Sequence, residues 1–109
     1  MSNPEILAKI RKYALSKPVE ETCGLIIESL GEASFIPCRN YHPKPEVAFR
    51  LSAKDFLSYE NIKYIYHSHP KGSATPSEID ASYSDELQIP FLIYSLSDDD
   101  FYIYENKSV

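Results

Sequence analysis

Cysteine is scarce in this sequence: Cys23 and Cys38 are the two thiols in 109 residues. That is too few for a disulfide framework, and a reducing compartment fits, with one bridge between the pair left open. No C-x-x-C occurs, which argues against a cysteine-rich structural zinc site. Positive charge is short as well. Lys and Arg total 11 against 16 Asp and Glu, for a net charge of −5 and a pI near 5.1. Nucleic-acid binders show a basic face, so nucleic acid is not an expected partner. Acidity of this size mostly serves solubility. Long apolar runs are missing too. None approaches the ~20 residues of a membrane span. The N-terminal MSNPEILAKIRKYAL has no apolar core of the kind a signal peptide needs. The expectation is a soluble protein, intracellular or particle-associated, and not secreted by a signal peptide. No repeat, low-complexity stretch or interdomain linker interrupts the chain, so residues 1–109 read as one domain.

What is present is ordinary core material: 43% hydrophobic residues and 13% aromatic ones, nine of them Tyr, enough to argue against disorder. Ile6, Leu7, Ile10, Tyr13 and Ala14 recur at helical spacing, predicting a helix over 3–16, with Ser2 or Asn3 as cap and Pro4 in the first turn. Pro18 ends it. The run CGLII, 23–27, predicts a buried strand, Gly31 a turn, and 33–38 a second strand. Residues 39–45 read as a loop, and the alternation over 47–51 predicts a third strand. Ser52 begins a short helix over 53–59 and IKYIY, 62–66, is a further strand. Residues 68–76 are turn-rich, a helix runs from a Ser77 cap to about 87, and 90–96 with 101–104 form a hairpin around SDDD. This order predicts an α+β fold, a mixed sheet flanked by helices.

The informative segment is HSHPKGSATPSEID, residues 67–80. On an extended strand His67 and His69 point to one side, so their imidazoles can converge. Asp80 opens the next helix after a loop long enough to fold back. A His, His, Asp set is a normal zinc shell of three protein ligands, leaving a position for water. Amide hydrolysis at such a centre also needs a carboxylate to move protons. Glu78 faces away from Asp80, which leaves Glu20 or Glu21, just before the CGLII strand. Two roles are open to Ser77: helix cap, or donor to a carbonyl oxygen gaining charge. His42 reads as a polar loop residue before Pro43.

The pattern His-x-His, seven residues, Ser, two residues, Asp resembles the signature of the JAMM (MPN+) zinc isopeptidases, and PVEETCGLI resembles the Glu-x-Cys-Gly start of their first core strand. The likeness runs from about residue 3 to 104. It implies the JAMM/MPN fold, cytidine-deaminase-like in outline, with a mixed curved β-sheet. It implies Zn2+ on His67, His69 and Asp80, Glu21 as general base and acid, and Ser77 as oxyanion donor. It leaves Cys23 as a buried strand residue. The stretches PCRNYHPKPEVAFRLSAKDF and HSHPKGSATPSEIDASYSDELQIPFLIYSL are similar to the JAMM half of tail assembly proteins of lambda-like phages. In that group the domain often precedes a peptidase domain of the NlpC/P60 type, absent from these residues. The implied partners are a peptide or protein substrate, phage tail proteins and an NlpC/P60 peptidase. The implied locations are the bacterial or host cytoplasm and the virion. There is almost no room for the insertions with which ubiquitin-directed members grip ubiquitin, so a flexible peptide or protein tail is the expected substrate. The competing function is a scaffold module with a structural zinc. A deaminase-like hydrolase lacks its paired cysteines here.

Overall fold

A computed structural model describes residues 3–105. Its elements are α1 (Pro4–Ser16), β1 (Cys23–Ser29), β2 (Glu32–Cys38), α2 (Ala53–Leu57), β3 (Ile62–His69), α3 (Glu78–Leu87), β4 (Phe91–Ser95) and β5 (Asp100–Tyr104). The strands form one sheet in the order β2-β1-β3-β4-β5. Only β3 and β4 run parallel; the other neighbours are antiparallel. Parallel neighbours need a crossover, and α3 supplies it.

The start of α1 follows its sequence signals. Asn3 Oδ1 accepts the Ile6 N–H at 3.1 Å, and Pro4 occupies the first turn. Ser2, the other cap candidate, lies outside the described residues. Ile6, Ile10 and Ala14 bury one stripe of α1 against Ile26, Tyr66, Leu92 and Tyr94 on one face of the sheet. Full burial of an Ile contributes roughly 1.5–3 kcal/mol. The opposite face carries Cys23, Leu25, Ile65, Phe91 and Ile93, covered by Phe56 of α2 and by Tyr83 and Leu87 of α3. The architecture is therefore the expected α+β one, with helices on both faces. Among the described residues no helix is long and apolar enough to cross a membrane.

One expectation changes. Residues 47–51 are not a strand. Their alternation is real, because Phe49 and Leu51 are buried while Arg50 is exposed. The backbone, however, forms no ladder: Asn40 Nδ2 donates to the Ala48 carbonyl, Asn40 Oδ1 accepts the Arg50 N–H, and a single backbone bond runs from the Tyr41 N–H to the Arg50 carbonyl. Cys23 and Cys38, although register partners, are free buried thiols. Burial pushes both thiols up, Cys38 to about 11.

Gly24 explains how tightly β1 and β2 pack. A Cβ there would meet the Ile36 carbonyl oxygen at 2.5 Å and Phe35 Cε1 at 2.8 Å. Backbone cannot yield as a flexible side chain does. Gly24→Ala is therefore expected to destabilise the protein by about 1–3 kcal/mol in a denaturant titration. A midpoint equal to wild type would show that the two strands separate freely.

Candidate metal centre

The centre begins with strand parity. On β3, Ile65, His67 and His69 share one face, while Tyr66 packs on the other. Strand β3 is longer than predicted and carries both histidines to its C-terminal end. Cys23 pairs with His67. Continuing that register places Glu21 opposite His69 on the same face, and Glu20 on the other. The Ser68 N–H to Thr22 carbonyl bond, 2.9 Å, extends the pairing to the residue between.

The crossover helix brings the third group. Ser77 Oγ accepts the Asp80 N–H at 3.1 Å, and Asp80 Oδ2 accepts the Ser77 N–H at 3.0 Å. This reciprocal cap fixes both the start of α3 and the Asp80 carboxylate. Asp80 Oδ2 lies 3.1 Å from His67 Nε2 and 3.0 Å from His69 Nε2, and the two nitrogens are 3.2 Å apart. Ligands bound tetrahedrally at ~2.0 Å stand ~3.3 Å from each other. The triangle thus fits one small cation, and His67, His69 and Asp80 are the group that could hold a metal. The donor set of two imidazoles and a carboxylate suits zinc.

Neighbouring groups orient these side chains. His69 Nδ1 donates to the Ser73 carbonyl at 2.8 Å, which leaves the Nε2 lone pair free in the neutral ring. His67 stacks on Phe49, ring centroids 4.4 Å apart and planes 18° apart. Its Nδ1 is buried without a hydrogen-bond partner among the described residues. Burial lowers the His67 pKa against the pull of Asp80, so this ring is held neutral as a ligand must be. Burial also acts against the charged forms of His69 and Asp80, and is outweighed in both. Asp80 and the Ser73 carbonyl raise His69, while the two imidazoles and the Ser77 N–H hold the Asp80 carboxyl well below the usual range.

Glu21 is 7% exposed, and its Oε1 has no partner among the described residues. Burial pushes its carboxyl up to about 7, with the nearby His69 pulling the other way. Glu21 and His69 line one cavity of about 620 Å³, walled by Pro18, Val19, Val47 and Pro70. Of the residues singled out in the sequence, His67, His69 and Asp80 thus meet at one point and Glu21 opens onto the same side. Ser77 caps α3 with its side chain exposed.

The sequence did not announce what holds Glu21. Thr22, Ser68 and Tyr66 form a buried hydroxyl network behind it, with Thr22 Oγ1 2.7 Å from Tyr66 Oη and 2.9 Å from Ser68 Oγ. Asn40 uses all four of its hydrogen-bond positions. Its Nδ2 donates to the Glu21 and Ala48 carbonyls at 2.8 and 2.9 Å, and its Oδ1 accepts the His42 and Arg50 N–H groups at 2.9 and 3.1 Å. Asn40→Ala strands these backbone groups and is expected to cost at least ~2 kcal/mol. The loss should be visible as faster amide exchange over 40–50, and unchanged exchange there would refute the clamp.

Known proteins resemble this chain in sequence and in fold. Over 94 residues the chain is 31% identical to tail tip assembly protein K of Escherichia phage N15, covering 84% of this chain and 39% of that protein. Over 97 residues it is 32% identical to a probable TtuB-protein conjugate cleaving protease of Thermus thermophilus, covering 82% of this chain and 65% of that one. The chain therefore spans less than two thirds of either relative. Among solved structures, a Desulfitobacterium hafniense protein superposes with a TM-score of 0.68 at 20% identity, over 91% of this chain and 77% of its own. A JAB1/MPN domain protein from Archaeoglobus fulgidus does so with 0.61 at 22% identity, over 93% and 82%. Residues 3–104 match the family described as prokaryotic homologs of the JAB domain, and the chain belongs to that family.

Proposed function

We propose that the chain is a zinc-dependent peptidase or isopeptidase, a single hydrolase domain acting on an amide bond in a flexible peptide or protein tail. The observation that carries this reading is Glu21, a buried carboxylate without a partner that shares a cavity with His69 of the three-ligand group. His67 and His69 would hold the ion through Nε2 and Asp80 through Oδ2. A zinc ion bound there would supply a Lewis acid for the amide carbonyl and acidify the attacking water. Glu21 takes the water proton and returns it to the leaving amine, work suited to a carboxyl near neutrality. Ser77 Oγ already accepts the Asp80 N–H, so its O–H is free to donate to the amide oxygen as charge grows there. The relative named as a conjugate-cleaving protease supports this substrate class.

A second reading is favoured by the likeness to a tail tip assembly protein. Here the domain works in the bacterial or host cytoplasm or on the virion, beside tail proteins or an NlpC/P60 peptidase, with the metal serving stability alone. Zinc-loaded protein and its Glu21→Gln variant, assayed on a peptide and isopeptide panel, separate the two. Cleavage by wild type alone supports the hydrolase. Equal inactivity, with tail particles that assemble normally around Glu21→Gln, moves the reading to the scaffold.

A further inference from the structure

We infer that His42 is a second hydrogen-bond donor to the oxygen of the amide being hydrolysed, working beside Ser77. The inference rests on the hydrolase reading above and adds a substrate-contacting residue to it.

His42 Nδ1 accepts the Lys44 N–H at 3.0 Å. A ring nitrogen that accepts carries no proton, so in the neutral ring the proton sits on Nε2, which can only donate. The backbone therefore sets the tautomer. Nε2 itself has no hydrogen-bond partner among the described residues. The backbone around the ring is fixed as well, because the His42 N–H bonds to Asn40 Oδ1, and the same Asn40 side chain holds the Glu21 carbonyl. His42 is thereby tied to the position of Glu21 by two hydrogen bonds through one residue.

The surroundings give the donor something to do. His42 lines a slot of about 100 Å³ together with Phe49, Ser77, Asp80 and Tyr83. It also borders the cavity lined by Glu20 and Glu21. The slot has room for an amide group. His42 and Ser77, each with a donor not used in the hydrogen bonds described above, thus line one slot, and Asp80, a proposed metal ligand, forms another wall. Preorganised donors aimed at a developing negative oxygen are what amide hydrolysis needs. Phe49, Ala48 and Tyr83 make much of the remaining wall apolar.

Acetohydroxamate tests this without knowledge of the substrate, because its carbonyl mimics the amide oxygen beside a metal. Its Kd for zinc-loaded protein is measured by calorimetry for wild type, His42→Ala and His42→Gln, with the zinc-dependent melting shift recorded for each. Loss of an oxyanion donor typically costs ~10²–10³ in kcat. His42→Ala is expected to weaken the hydroxamate about tenfold or more at an unchanged melting shift, with His42→Gln, which keeps a donor, recovering most of it. A Kd within about twofold of wild type in His42→Ala overturns the proposal and leaves the hydrolase reading standing. If the Ala variant loses the melting shift, the decision passes to His42→Gln against His42→Leu, where equal Kd values overturn it. Failure of zinc-loaded wild type to bind acetohydroxamate at all removes the hydrolase reading, and His42 with it.

Discussion

Zinc is expected to raise the melting temperature of the metal-stripped protein by about 15 °C, and the His67→Ala/His69→Ala variant to show no such rise. The size follows from linkage. An ion at ~1,000 times its Kd adds ~4 kcal/mol to the folded state. Each kcal/mol moves the midpoint of a domain this small by ~4 °C. Elemental analysis should find about one zinc per chain, lost in the variant. The quantity to compare is the zinc-dependent shift, because His67 is fully buried against Phe49 and Phe91 and its removal opens a cavity. The variant will therefore melt lower with or without zinc. The shift should also shrink as pH falls. Protons compete with the metal for imidazole nitrogens, and His69, held above its usual pKa by Asp80 and the Ser73 carbonyl against the pull of burial, is protonated early. A melting temperature unmoved by zinc near pH 8 would refute the metal centre.

The candidate metal-binding group was legible in the sequence because its geometry is local. Two histidines one residue apart on a strand must share a face, and a capped helix a short loop later returns Asp80 to them. The Ser77 cap was readable for the same reason. Glu21 was not settled by spacing alone, since Glu20 was an equal candidate. Parity across β1 and β3 puts Glu21, and not Glu20, on the face of His69, and that placement depends on which strands are neighbours. Asn40, Phe49 and His42 lay further out of reach. The Asn40 side chain bonds to Glu21, 19 residues away, and Phe49 stacks on a histidine 18 positions later. No periodicity encodes such contacts. Such long-range bonds also help keep residues 47–51, which alternate as a strand does, out of a ladder: the Asn40 side chain takes the Ala48 carbonyl and the Arg50 N–H, which a neighbouring strand would have used.

Glu21→Gln is expected to lower kcat/KM by ~10²–10⁴ with zinc uptake unchanged, and to stabilise the metal-free protein above about pH 7. The two effects share one cause. Burial holds the folded Glu21 carboxyl near about 7, against 4.5 as its ordinary value. Between those values the folded chain keeps a proton that the unfolded chain releases. Stability rises with pH where the unfolded state binds more protons; here the folded state binds more, so stability falls as pH climbs from about 4.5 to 7 and then levels. Glutamine carries no ionisable group, so the variant escapes this loss. Its gain over wild type near pH 8 should be on the order of 1–3 kcal/mol, and near pH 4 that gain should vanish. With zinc bound, the added positive charge lowers the Glu21 pKa. The acid limb of wild-type kcat/KM should then fall below 7, and the stability difference should narrow. Melting curves of the metal-free pair at both pH extremes, set beside the pH–rate profile, read out both sides. A variant that tracks wild type at both pH values would show that Glu21 is not a strained, partnerless carboxylate, and its role in moving the proton would lose its physical basis.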